Sequence, residues 1–310
     1  MINKLNVEKF YDYFDEVANL LYQNYQKTYL EGMNEAFNLL LDDNFKEEYS
    51  KEDIEILKDA KSKISSIEFL REEVRKGVQL GLLKGYKHAY MSNSLITPDT
   101  IGIFIGYIIE KLYKNQKLEN VLDPMIGSGN LVFAALNHMK KNAKIYGVDN
   151  DLLICNLVRN VADLLEYKNE IFYQDTLSYY DQGFDLILTD LPIVEDADYF
   201  PYKAINHHLD SLAIGGYFIT LIENDFFEKK DIKIFQEEIN KKAYMFGLIK
   251  LSETLFKNNP KSILLIRKKK ENEVPPKKFL LVDLPSFNDT DGINNSIIKI
   301  DEYFKSREEE

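Results

Sequence analysis

Apolar positions in the first third of the chain recur at helical spacing. Phe10, Phe14, Val17 and Leu21 fall on one helix face, with charged residues on the other side. In "SKEDIEIL", Ser50 with Asp53 three residues on predicts an N-cap, and Ile54, Leu57 and Ile64 continue an apolar face behind it. Ile67, Leu70, Val74 and Val78 mark a further helix, expected to loosen near Gly81 and Gly85. These stripes are read as core and domain interface, with a partner surface as the alternative. From about residue 96 the rhythm changes to strand, helix, strand, helix. The predicted strands are "NVLD", "KIYGVD", "EIFYQD", "FDLILTD", "GYFITLIE", "YMFGLIKLS" and "SILLIRKKK". Crossover helices fit between the first five, as a parallel sheet requires. Only "ETLFKNNPK" separates the last two, so they are expected to pair antiparallel. The tail "KFLLVDLPSF" is a further strand candidate outside that count. The expectation is an α/β chain: a helical domain over residues 1–95, then a mixed seven-strand sheet domain over 96–310.

Composition narrows the function classes. At 310 residues and 45% hydrophobic, the chain has enough material for one large or two modest domains. A formal charge of −12 works against binding nucleic acid through its phosphates alone, although it leaves room for a local basic groove. The single cysteine, Cys155, forms neither an intrachain disulfide nor a cysteine metal cage, which makes a reducing compartment the default. The mixed-charge start does not resemble a leader, and the run "IGIFIGYII" falls short of the roughly 18 residues of a membrane span. A cytoplasmic protein without membrane association is expected. Adjacent His207 and His208 point to different faces of a helix, so no metal site is expected. The basic "IRKKK" at 266–270 ends a strand and is read as solvated, with a phosphate contact as the alternative.

The candidate chemistry lies at the strand ends. "VLDPMIGSGNLV" is a strand, a glycine turn and a helix start. Gly127 and Gly129 permit positive φ and close approach of a ligand to the backbone, and the helix amides behind them would face it. The turn suits a dinucleotide pyrophosphate or the amino-acid end of S-adenosylmethionine. Val132 stands where a dinucleotide fingerprint has its third glycine, which weakens the NAD reading. Asp149 ends the next strand and can accept from a ribose diol, at about 1.5–3 kcal/mol per bond. Asp175, after the third, can accept from an adenine amino group. Each acid is also a common turn former. All of them nevertheless fall on the sheet edge where open α/β folds bind ligands. The fourth strand, "FDLILTDLPI", stops on Asp190 and Pro192.

"DPMIGSGNL", "GVDND", "QDTL" and "TDLP" occur in the order of the motifs of class I S-adenosylmethionine-dependent methyltransferases, and resemble most the branch that methylates adenine in DNA. "SLITPDTIGIFIGYIIEKL" resembles the Thr-Pro segment of type I restriction-modification subunits, with Thr97 expected to cap a helix that begins at Pro98. "KLSETLFKNNPKSILLIRKK" resembles a later loop and strand of the same group, with Ser252 where proline is usual. Over nearly the whole length the chain is similar to the YtxK-like candidate methyltransferases of Gram-positive bacteria.

This resemblance implies an S-adenosylmethionine-dependent transfer of methyl to an exocyclic amine. Asp190 and the Pro192 loop would hold the amine, and Thr97, Asp123, Gly127, Gly129, Asp149 and Asp175 would hold the cofactor. In the adenine enzymes the loop is Asp-Pro-Pro followed by an aromatic residue that stacks on the base. Its first side chain and a loop carbonyl accept from the NH₂ group. Here Leu191 replaces the first proline and Ile193 the aromatic residue. Leu191 and Ile193 remain candidate substrate contacts, with Tyr199, Phe200 and Tyr202 as the aromatic replacements to look for; Phe256 and Asn258 are further candidates, on a segment that is otherwise a simple hairpin loop. The resemblance also implies nucleic acid as a partner, reached through a second subunit that recognises the target. A cofactor-binding regulatory or scaffold protein without catalysis is the second reading, and an NAD oxidoreductase the third.

Overall fold

The computed structural model describes residues 2–42, 44–92, 95–193, 199–256, 259–271 and 273–308. Four helices come first: α1 (Lys4–Tyr25), α2 (Tyr29–Leu41), α3 (Lys51–Ser62) and α4 (Arg71–His88). The predicted stripe on α1 is buried throughout, from Phe10 to Leu21. Ser50 caps α3, accepting from the Asp53 amide at 3.0 Å.

Helix α4 does not loosen at its glycines; it runs through both without a break. A Cβ on Gly81 would lie 2.3 Å from the Phe14 ring, and one on Gly85 2.3 Å from Leu30. These glycines therefore serve close packing of α4 on α1 and α2, which outweighs their poor helix propensity. Ile67 lies outside the helix, and Leu70 is its exposed N-cap.

The sheet domain continues with α5 (Asp99–Leu112), β1 (Asn120–Asp123), α6 (Asn130–Met139), β2 (Lys144–Asp149), α7 (Leu152–Leu164), β3 (Asn169–Tyr173) and β4 (Phe184–Asp190). After these come α8 (Phe200–Leu209), β5 (Leu212–Glu223), α9 (Ile232–Lys242), β6 (Ala243–Lys250), β7 (Lys261–Lys268), β8 (Leu280–Asp283) and α10 (Thr290–Glu308). The strand order is β3-β2-β1-β4-β5-β7-β6-β8. The first five strands pair in parallel, and β7 runs antiparallel to both β5 and β6. The expected antiparallel pair is thus present.

The sheet has eight strands, however, and the expected seven is corrected by the tail. Residues 280–283 add β8 parallel to β6, with Leu280 and Val282 turned inward and Leu281 and Asp283 outward. That alternation covers an edge β6 would otherwise leave unpaired.

One apolar cluster joins the front helices, α5, α6 and α7 to one sheet face, while α8 and α9 cover the other. Helix α2 packs on α7, and α4 on both α6 and α7. The front helices therefore press against the elements that follow the glycine turn and β2.

Candidate functional site

The loop after β1 is tied to β2 by its backbone, the Ile126 amide donating to the Val148 carbonyl at 3.0 Å. Gly127 and Gly129 both take positive φ, +47° and +71°. A Cβ on Gly129 would strike the Phe133 ring at 2.4 Å, whereas one on Gly127 would meet open space. Gly127 thus turns its bare face away from the protein, as a backbone cradle for a ligand requires.

The acids of β1, β2 and β4 converge on this edge but differ in their surroundings. Asp123 is buried, and its Oδ1 accepts from the Met125 amide at 3.2 Å. Burial pushes its carboxyl up to about 7, and the nearby charges of Asp190 and Asp149 push the same way. Thr189 faces it but meets hydrogen-bond geometry with no group among the described residues. Asp123 therefore lies beneath the loop and ties it through the Met125 amide.

Asp149 accepts from the Gly127 amide at 3.0 Å and from the Asp151 amide at 2.9 Å. Burial raises its pKa. Each oxygen keeps a lone pair for a ribose hydroxyl. Asp175 is exposed and caps its own turn through the Leu177 amide at 2.9 Å. The neighbouring Gln174 amide reaches the Asp149 carbonyl at 2.9 Å, so Asp175 stands beside the β2 end.

Asp190 is held from two sides. Its Oδ2 accepts from the Thr97 hydroxyl at 2.8 Å, and its Oδ1 accepts from the Lys261 ammonium. Lys261 also donates to the Leu191 carbonyl at 3.2 Å. The Phe256 ring centre is 5.9 Å from Lys261 Nζ, which puts an aromatic face beside the acid. Thr97 does not cap α5: Pro98, which has no side-chain hydrogen-bonding group, is the N-cap, and the Thr97 hydroxyl is spent on Asp190.

The remaining predicted contacts divide. Leu191 is buried, and its amide donates to the Leu221 carbonyl, while Pro192 and Ile193 are exposed. Tyr199 is half-buried and donates to Glu223 at 3.0 Å, with Lys229 over its ring. Tyr202 is a core residue: it stacks on Phe235 at 4.3 Å and its hydroxyl donates to the Phe226 carbonyl. That corrects its reading as a substrate contact. Asn258 lies outside the described residues. His208 is buried with Nε2 on the Thr176 hydroxyl at 2.7 Å. In the basic run, Lys268 and Lys269 donate to backbone carbonyls and Arg267 pairs with Glu273, so these cations are engaged within the fold.

One network was not visible in the sequence reading. Arg75, on α4, is 1% exposed. It donates to Asp99 at 2.8 and 2.9 Å, to Asn130 at 2.6 Å and to Glu72 at 2.8 Å. Asn130, the first residue of α6, in turn donates to the Thr97 carbonyl at 2.7 Å. Burial alone would raise the Asp99 carboxyl, but the hydrogen-bonded Arg75 guanidinium outweighs it and holds Asp99 down at about 2. A front helix therefore anchors both the segment carrying Thr97 and the helix that follows the glycine turn.

Comparison with known proteins agrees with this architecture. A profile of the YtxK N-terminal helical domain matches residues 8–86. The chain is 31% identical over 335 aligned positions to the uncharacterized protein YtxK of Bacillus subtilis strain 168, covering 98% of this chain and 99% of that one. The chain belongs to the YtxK family.

A solved structure from Listeria monocytogenes, described as a candidate class I S-adenosylmethionine-dependent methyltransferase, aligns with a TM-score of 0.87 at 29% identity. That match covers 97% of this chain and all of the other. A modification subunit of a candidate type I restriction enzyme from Vibrio vulnificus YJ016 aligns at 0.57 and 18% identity, over 78% of this chain and 61% of that one, and shares the fold alone. This YtxK-family chain has the α/β methyltransferase-like fold with helices in front.

Proposed function

We propose that this chain is an S-adenosylmethionine-dependent methyltransferase acting on an exocyclic amine, adenine in nucleic acid or a related group. The observation that carries the cofactor reading is the open face of Gly127 beside Asp149, whose two oxygens each take one backbone amide and keep a lone pair. A carboxylate at that point suits a cation and opposes the pyrophosphate of NAD. S-adenosylmethionine, with a sulfonium and an ammonium against one carboxylate, matches it. The open face of Gly127 and the free lone pairs of Asp149 fit its amino-acid and ribose ends.

Bound there, the sulfonium supplies an activated methyl group with a good leaving group. The protein's part is then positioning. Gly127, Gly129, Asp149 and Asp175 hold the cofactor. Thr97 orients Asp190, and Asp190 with the Leu191–Pro192 loop takes the acceptor. Phe256 supplies an aromatic wall where Ile193 cannot. We place the helical domain at 1–95 and the catalytic domain at 96–310, with Arg75 joining them.

Among the described residues no helix is long and apolar enough to cross a membrane, and we infer a cytoplasmic location. With Arg267, Lys268 and Lys269 engaged within the fold and a charge of −12, selection of a target in duplex nucleic acid calls for a partner subunit.

Incubation with tritiated S-adenosylmethionine and single-stranded nucleic acid tests the reading. Wild type should transfer label, and Asp190→Ala should lose transfer while keeping most of its cofactor affinity. Equal transfer by the variant removes Asp190 from the chemistry. One observation favours the second reading, a cofactor-binding protein without turnover: Lys261 already pairs with Asp190.

A further inference from the structure

If the loop at 190–193 is the acceptor seat, as proposed above, a cation already bridges it. Lys261 Nζ donates to Asp190 Oδ1 and to the carbonyl of the next residue, and so occupies the position from which an incoming NH₂ group would donate to both. The other carboxylate oxygen accepts from Thr97. Lys261 is only 8% exposed, so its ammonium is buried against these acceptors.

The strand register explains how it arrives there. Asp190 pairs with Leu221 on β5, and Glu223, two residues further along, pairs with Lys261 on β7. The lysine stem therefore spans β5 to reach β4, about two strand spacings of roughly 4.8 Å each. Its root is fixed, because the Lys261 carbonyl accepts from the Leu251 amide at 3.2 Å in addition to the strand pairing. Only the stem can withdraw.

We propose that Lys261 is an internal occupant of the acceptor seat and decides which acceptors enter it. A neutral amine that takes Asp190 leaves a desolvated ammonium without its counter-charge, a worse exchange than leaving the pair intact. The seat as built therefore rejects the exocyclic amine of a free, uncharged nucleoside, whereas a nucleic-acid acceptor brings phosphates that pair with the displaced ammonium. Removing the lysine charge opens it, since Asp190 Oδ1 and the Leu191 carbonyl then lose the Lys261 donor. Arginine, keeping the charge and more donors, leaves it closed.

The test is calorimetric titration of adenosine against purine riboside, which lacks only the exocyclic amine, on protein saturated with S-adenosylhomocysteine so that the cofactor groove is filled. Wild type and Lys261→Arg should bind the two nucleosides alike. Lys261→Met should prefer adenosine by at least about tenfold. Lys261→Ala provides a second neutral variant in case methionine does not fold. Binding of S-adenosylhomocysteine is the independent readout. If the wild type does not bind it, the proposed function falls and this inference with it. If cofactor binding is normal but neither neutral variant prefers adenosine, or the wild type already does, the lysine assignment alone is overturned.

Discussion

Replacing Arg75 with methionine keeps much of the side-chain volume and removes the charge at the centre of the network that joins α4 to the site. Removing one partner of a buried ion pair costs about 3–5 kcal/mol, because the other charge is left desolvated. Here the groups that lose the guanidinium are Asp99 and Glu72, whose side chains keep 19% and 22% exposure, and Asp99 retains Lys76 at 3.4 Å and Gln79 at 2.7 Å, so water and these donors recover part of the loss. The low end, about 3 kcal/mol, is the expected destabilisation. With an unfolding entropy of roughly 2 cal/mol/K per residue, that lowers the melting temperature of a chain this long by about 5 °C.

Adding Asp99→Asn should restore part of the loss, since the double variant leaves one fewer carboxylate unpaired; the non-additivity measures the coupling. Cofactor affinity should also weaken in Arg75→Met, because Asn130 and Thr97 lose their common anchor. Thermal melts followed by circular dichroism give the first quantity and calorimetry the second. A single variant melting within about 1 °C of wild type would refute the claim that Arg75 braces the site.

Two further perturbations probe the interior. Burial lifts Asp123 from 3.8 to about 7, so between those values the folded chain holds a proton that the unfolded chain releases. Stability is then fully present below about pH 4 and falls as pH rises through about 7, by on the order of 4 kcal/mol, and Asp123→Asn should flatten the slope. Urea midpoints for wild type that do not change across that window contradict the burial of the carboxyl. Asp99 behaves in the opposite sense: its lowered pKa contributes stability above about pH 4 that disappears as pH falls through about 2. Gly81→Ala would put its Cβ 2.3 Å from the fully buried Phe14 ring and should cost about 1–3 kcal/mol. A melting temperature equal to wild type would mean that α4 and α1 are not held in close contact there.

What the sequence disclosed was local. The stripe from Phe10 to Leu21, the Ser50 cap and the strand–glycine–helix run at 120–131 each lie within a few turns of chain, and the structure realises them as periodicity and turn chemistry require. The strand-end acids were legible for the same reason. What stayed hidden depends on tertiary register. Arg75 meets Asn130 across 55 positions, and nothing near either residue announces the other. Lys261 reaches Asp190 across 71 positions only because β7 inserts between β5 and β6. A lysine beside an apolar strand was the available signal, and it fell in the connecting segment "ETLFKNNPK". The glycines of α4 misled because propensity was weighed without the neighbours that close packing required. Tyr202 misled because an aromatic residue near a functional loop looks the same in sequence whether it faces a ligand or Phe235.

The central claim is that the acidic strand ends and the glycine turn bind the cationic nucleoside S-adenosylmethionine. Calorimetric titration of wild type with S-adenosylmethionine and with NAD, repeated on Asp149→Ala, tests it most directly. The account predicts saturable binding of S-adenosylmethionine, none of NAD, and an affinity reduced about tenfold or more in the variant, as loss of a charge-assisted ribose contact implies. Binding of NAD in preference, or no binding of either ligand by the wild type, would contradict it.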